Sequence, residues 1–313
     1  MNVLRPGLCA VAIACTLALM VTLAPHSAEA ASYKLPENGD NVVGAVTRLK
    51  LAYEDTLAAV AERNGIGYRE IVDANPDVDA WIPGEGTVIE LPTQYVLPSA
   101  PRDGLVINVA EYRLYFYPKD SDRVITYPVG IGRSEFRTPV IETKTVTRIE
   151  NPSWTPTAAA RREHAEAGDI LPHVVPPGPD NPLGELAIQL AADGYFIHGT
   201  NMPFGVGQQV SHGCIRLHNA HILTLSELIP NGTPVYIVNE PVKVGLRYDE
   251  VLLEIHRDLY EEPDLDTLQL VVEEKASHHA ANLDWQRVAQ VLDDLKGIPV
   301  RIGPQAAVAA RGQ

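Results

Sequence analysis

Two segments govern the reading of this chain: Ile197-His198-Gly199-Thr200 and Ser211-His212-Gly213-Cys214-Ile215-Arg216-Leu217. Each mixes β-forming apolar residues with polar ones, so each is expected to be a short strand with chemistry at one end. His212 and Cys214 are two positions apart, as are Cys214 and Arg216, and on an extended strand such pairs share a face. His198 closes the apolar run Tyr195-Phe196-Ile197 and can face Cys214 from a neighbouring strand. A thiol attacks a carbonyl only as its thiolate, which requires a base or a positive neighbour. His198 and His212 both qualify. Gly213 lets a backbone N–H approach a developing oxyanion with no side chain in the way. Arg216 can grip a carboxylate with its fork of donors.

The cysteine count strengthens this reading. The chain has 313 residues and three cysteines, Cys9, Cys15 and Cys214. Arg5, the uncharged apolar run from Leu8 to Ala24 and the small-x-small triplet Ala28-Glu29-Ala30 have the layout of a cleaved export signal over residues 1–30. Export removes Cys9 and Cys15 and leaves one thiol, which cannot close an internal disulfide. The run is short for a spanning helix and a cleavage site follows it, so no stable membrane span is expected after cleavage. Periplasmic localisation follows from that expectation. The net charge of −15 argues against nucleic acid or anionic lipid as the main partner.

Composition divides the remainder. Residues 31–47 are polar and are expected to be a linker. Over 48–92 the pattern is strand, helix, helix, strand: Arg48-Leu49-Lys50-Leu51, a helix capped by Thr56 and ended by Asn64-Gly65, a second helix stopping before Asn75-Pro76, then Thr87-Val88-Ile89-Glu90-Leu91. Pro92, Pro98 and Pro101 suggest a stiff linker over 93–102. From 103 to 239 short β patterns dominate. A proline- and glycine-rich insertion between 152 and 186 is expected to shape a site rather than a core. Residues 240–313 contain a strand at Val251-Leu252-Leu253-Glu254-Ile255 and a helix carrying Trp285, Val288, Val291, Leu292 and Leu295 on one face, and are expected to pack on the preceding domain. His278-His279 and the acidic run from Glu261-Glu262 to Asp266 are expected to be solvated surface. A zinc site from His212, Cys214, His218 and His221 lacks CxxC or HExxH spacing, and neither metal nor cofactor is expected.

The unit at 48–92, with Glu54-Asp55-Thr56-Leu57, Asn75-Pro76 and Ile82-Pro83-Gly84-Glu85-Gly86, resembles a LysM module, a fold that binds peptidoglycan glycan. Its usual Gly-Asp-Thr opening is Glu54-Asp55-Thr56 here. The His198 and Cys214 segments resemble the signature of the L,D-transpeptidases, whose YkuD-type catalytic domain would run from about Leu105 to Asn239. Asn151-Pro152-Ser153-Trp154-Thr155-Pro156, Asn201-Met202-Pro203-Phe204-Gly205 and Pro241-Val242-Lys243-Val244-Gly245 are similar to the Gram-negative subgroup that anchors Braun-type lipoprotein. Where the family shows Thr-Pro-x-Gly, this chain has Thr138-Pro139-Val140-Ile141, so a reshaped loop is expected.

The resemblance implies a mainly β protein: a β-sandwich-like catalytic domain preceded by a small α+β (βααβ) module. It also implies Cys214 as the acylated nucleophile, His198 as its base with the Gly199 carbonyl behind it, and Ser211, His212, Gly213 and Arg216 as substrate or oxyanion support. The substrates implied are peptidoglycan stem peptides and glycan, with a lipoprotein lysine, a second stem peptide or water as acceptor. The competing function class is a cell-wall-binding scaffold without catalysis. Such a scaffold has no physical need for both His198 and Cys214.

Overall fold

The structure is a computed structural model, and it describes residues 30–37, 39–248, 250–259, 265–276 and 282–303. Residues 1–29 of the expected export signal, His278-His279 and the Glu261-Glu262 portion of the acidic run lie outside the described residues.

The chain begins with β1 (Ala31–Lys34) and β2 (Val42–Gly44), so residues 31–47 are not the linker that their polarity suggested. β3 (Thr47–Lys50), α1 (Leu57–Arg63), α2 (Tyr68–Ala74) and β4 (Val88–Leu91) follow in the expected order. The local signals act as physics requires. Thr56 Oγ1 accepts from the Ala59 N–H at the start of α1, and Gly65 adopts φ +63° just beyond its end. Asn75 donates to the Ile71 and Glu90 carbonyls and accepts from the Glu90 N–H, which ties α2 to β4. Leu57, Val60, Ile66, Ile71 and Ile89 fill a small core of their own.

The second expected linker also carries a strand, β5 (Gln94–Val96), which pairs antiparallel with β2. Prolines at 92, 98 and 101 flank β5 without interrupting it, and its three residues are buried. The N-terminal unit is therefore docked rather than tethered. β1 adds to the edge of the main sheet through β8 (Arg123–Pro128), after β6 (Gly104–Asn108) and β7 (Arg113–Tyr117).

That main sheet has nine strands. To those named it adds β10 (Ile141–Glu150), β11 (Leu186–Leu190), β12 (Phe196–His198), β14 (Ile215–Arg216) and β15 (Pro234–Val238), in the order β1-β8-β7-β6-β15-β10-β11-β12-β14. The short strands β9 (Ile131–Gly132) and β13 (Gln209–Ser211) pair separately and in parallel. β6 and β7 are buried on both faces, and their alternation divides two cores. Leu105, Ile107, Leu114 and Phe116 join the core beneath α4 (Asn219–Leu228), whereas Val106, Tyr115 and Tyr117 face Val43, Tyr95 and Leu97. Helices are a minority and the architecture is mainly β, as expected. The 152–186 insertion contains α3 (Ala158–Glu166), capped by Thr157. It escaped sequence reading because Ala160 is the one buried residue it carries, leaving no apolar stripe to detect.

Beyond the sheet, β16 (Val242–Arg247), β17 (Glu250–Ile255) and β18 (Val300–Arg301) form a sheet covered by α5 (Leu265–Ala276) and α6 (Trp285–Asp294). Lys243 is buried where the parts of the chain meet. Its ammonium donates to Glu111 at 2.6 Å and to the Val96 carbonyl at 2.8 Å, and pairs with Glu254 at 2.8 Å. His256 Nε2 lies 2.6 Å from Glu254. Glu111, Glu254 and His256 approach as metal ligands would, but the ammonium of Lys243 already supplies the cation between the two carboxylates. Among the described residues no helix is long and apolar enough to cross a membrane.

Candidate active site

β12 and β14 run parallel, with Ile197 opposite Ile215 and His198 opposite Arg216. Cys214, one residue before β14, therefore sits diagonally across from His198 on the face that Arg216 also occupies. The loop between the strands turns back so that Ser211, His212 and Gly213 lead into the thiol.

His198 is buried, and its Nδ1 lies 2.6 Å from the carbonyl of Gly199. That carbonyl only accepts, so Nδ1 carries the proton and Nε2 is the basic nitrogen. Gly199 is glycine for a steric reason: a Cβ there would lie 2.1 Å from Oδ1 of Asn219. That same oxygen accepts from the Thr200 N–H, so Asn219, at the start of α4, fixes the backbone behind the histidine. Sequence reading missed Asn219, because a polar residue opening a helix gives no sign of what it reaches.

Burial lowers the His198 pKa to about 4, helped by the positive charge of Arg216 and opposed by the bond to Gly199. Burial pushes the Cys214 thiol up, while the backbone at Phe196 and the Arg216 guanidinium pull it back down. Both shifts favour the neutral forms, imidazole and thiol, over imidazolium and thiolate. Such a pair can move a proton from sulfur to Nε2 as the sulfur attacks. At rest the thiol donates weakly to the Gly194 carbonyl at 3.7 Å.

The turn before Cys214 is braced from two sides. Ser211 Oγ donates to the Cys214 carbonyl at 2.6 Å and accepts from the Gly213 N–H at 3.1 Å. That N–H is therefore engaged by the Ser211 hydroxyl. Gly213 holds φ +103°, a conformation that side chains rarely adopt. Its carbonyl accepts from Thr138 Oγ1 at 3.0 Å, and the same hydroxyl accepts from the Gly132 N–H at 2.9 Å. Thr138 opens the segment that departs from the family pattern. Ile141 at its end is not in a loop; it begins β10 opposite Ile237.

His212 is held by other partners. Its Nε2 lies 3.2 Å from Glu163 and 3.1 Å from Arg133, with Phe136 stacked on the ring at 4.6 Å. Arg216 is anchored through its backbone to Gly130, and its guanidinium lies against Gly205, where a Cβ would come within 2.9 Å of Nη1. A cleft of about 1180 Å³ runs past these side chains, lined by Arg133, Trp154, Glu163, Phe204, His212 and Arg216 among others. His218 and His221 stack edge-on, and His221 also stacks on Tyr127, apart from the Glu163 and Arg133 partners of His212. Arg133 and Glu163 went unread in the sequence, because each lies in a segment without a regular pattern.

Residues 102–237 match the L,D-transpeptidase catalytic domain. The chain is 40% identical to the probable L,D-transpeptidase YcfS of Escherichia coli, over 92% of each protein. It belongs to the L,D-transpeptidase family. The probable L,D-transpeptidase ErfK/SrfK of E. coli is 39% identical over 93% of this chain and 96% of its own. The putative L,D-transpeptidase YkuD of Bacillus subtilis is 30% identical over 58% of this chain and 93% of its own. The similarity to YcfS and ErfK/SrfK thus extends well beyond the catalytic domain, whereas that to YkuD covers little more than half of the chain. Membership of the L,D-transpeptidase family implies peptidoglycan substrates.

Proposed function

We propose that this chain is a cysteine-dependent L,D-transpeptidase acting on peptidoglycan stem peptides. The observation that carries the reading is the bond from His198 Nδ1 to the Gly199 carbonyl, which leaves Nε2 as the basic nitrogen, on the strand paired with the one that Cys214 leads into. In the first half-reaction the thiol proton moves to Nε2 as sulfur bonds to the carbonyl carbon at the L-centre of meso-diaminopimelate in a tetrapeptide stem. The tetrahedral oxyanion is held by the Cys214 N–H, since the Gly213 N–H is already given to Ser211. The bond to terminal D-Ala then breaks, and the imidazolium returns its proton to the leaving amine. An amine acceptor, either a lipoprotein lysine or a second stem peptide, attacks the thioester and frees the cysteine.

Residues 1–30 act as a cleaved export signal that delivers the chain to the periplasm, and the unit at 48–92 binds the glycan of the same polymer. The direct test is D-Ala release from a soluble disaccharide-tetrapeptide. Release that disappears in Cys214→Ala supports the proposal, and release that persists overturns it.

A further inference from the structure

Two guanidiniums that line the cleft are incompletely satisfied. The Nε of Arg133 and the Nε of Arg216 are buried without an acceptor, although both side chains line the cleft. Both Nε atoms are closed to the cleft, so a ligand there reaches these guanidiniums only through their other nitrogens. Arg133 is already fixed in place. Its backbone N–H donates to the Ser211 carbonyl at 3.0 Å, and its guanidinium lies over the Phe136 ring at 5.3 Å.

Its present partner is less firmly held. Arg133 Nη2 donates to both oxygens of Glu163, at 2.7 and 2.9 Å. Both side chains are about one-third exposed, 35% and 36%, so the pair is cheap to open. Glu163 rides on α3, which anchors itself to the domain with Ala160 as its one buried residue. The bond from Arg133 keeps the Glu163 carboxyl below its ordinary pKa, so it is charged at neutral pH.

We propose that Arg133 is a carboxylate-binding residue of the cleft, and that Glu163 occupies the place of a substrate carboxylate until substrate displaces it. The ligand class is a peptide bearing a free carboxylate, which rests on the stem-peptide reading above. A phosphate is disfavoured, because Asp169 and Asp180 also line the cleft and repel a doubly charged group. Displacement frees the Arg133 fork for the incoming carboxylate and releases His212 from Glu163. Glu163 is then a specificity element: it lets a carboxylate compete, and gives an amide nothing to exchange.

The test is equilibrium binding of the tetrapeptide to the full chain carrying Cys214→Ala, compared with peptides amidated at one carboxylate at a time. Glu163→Gln in that background is expected to tighten binding about two- to fivefold, because a charged, partly exposed competitor is removed. Arg133→Gln is expected to weaken it about ten- to a hundredfold, with Arg133→Lys recovering part of the loss. Amidating one particular carboxylate should weaken binding similarly, and should add nothing further in Arg133→Gln. Weaker binding in Glu163→Gln, additive losses from amidation and Arg133→Gln, or no binding of the tetrapeptide at all would each overturn the proposal. The thiol is absent throughout, so failure of D-Ala release in the intact chain would overturn the transpeptidase reading and leave this binding result standing.

Discussion

Arg113 at the start of β7 and Glu70 on α2 form a buried two-pronged ion pair, joining the main sheet to the N-terminal unit. Arg113 Nε lies 2.6 Å from Glu70, Nη2 also pairs with it, and the guanidinium lies 4.3 Å over the Tyr95 ring. Glu70 in turn accepts from the Gly67 N–H at the start of α2. The pair spends its charge on orienting one unit against the other.

Removing one partner strands the other in a dry site. Glu70→Ala is expected to destabilise the whole protein by about 3–5 kcal/mol, since Arg113 keeps a buried charge with no counter-ion. Denaturant melts should show one transition shifted to lower midpoint. Unchanged stability would mean that water reaches Arg113.

The same contact bears on truncation. A chain starting at Pro101 loses Glu70, β1 and the β2–β5 pair together, and exposes Val106, Tyr115 and Tyr117. It should express as an aggregation-prone or partly unfolded protein rather than as a free catalytic domain. A soluble, fully folded fragment with intact D-Ala release would show that the units are independent.

The neutral resting pair sets the pH behaviour. With its pKa lowered to about 4 by burial, His198 should stay a competent base down to that region and be lost below it. The acid limb of kcat/KM for D-Ala release should therefore fall near pH 4 rather than near the ordinary imidazole value. The thiol, raised by burial, should give iodoacetamide alkylation that climbs through pH 9. A plateau at pH 6–7 would instead reveal a preformed thiolate–imidazolium pair.

The two histidines should separate cleanly. His198→Ala is expected to slow acyl-enzyme formation by about a hundredfold or more, the usual cost of losing a positioned general base. His212→Ala, whose ring pairs with Glu163 and Arg133, should cost far less. Equal losses, or the reverse order, would make His212 the base.

Thr138 supports the turn from outside the motif. Thr138→Val keeps the shape but leaves the Gly213 carbonyl and the Gly132 N–H without this partner, a loss of about 1–3 kcal/mol in stability. Acylation should slow as the turn loosens, with His198 titration unchanged. Wild-type acylation in that variant would assign the bracing to Ser211 alone.

Much of this was legible in the chain itself. Thr56, Asn64-Gly65 and Asn75 marked helix boundaries because capping is local chemistry, and His198 and Cys214 stood out because a solitary thiol in a His/Gly setting needs a reason. Residues 31–47 and 93–102 were misleading. β1, β2 and β5 are three or four residues long, and they exist because the main sheet and β17 offer them edges and partners, such as Glu254 accepting from the Val96 N–H. Asn219, Glu163 and Arg133 act across distances that no local pattern encodes. The bond from the Gly213 N–H to the Ser211 hydroxyl depends on the turn's geometry, which the residue order does not encode.

The most direct measurement is intact-mass analysis of the protein after incubation with disaccharide-tetrapeptide. The account predicts an adduct equal to the substrate less D-Ala, mapped by peptide digestion to Cys214 and missing in Cys214→Ala. An adduct surviving in Cys214→Ala, or D-Ala release with no trappable thioester at any pH, would contradict it.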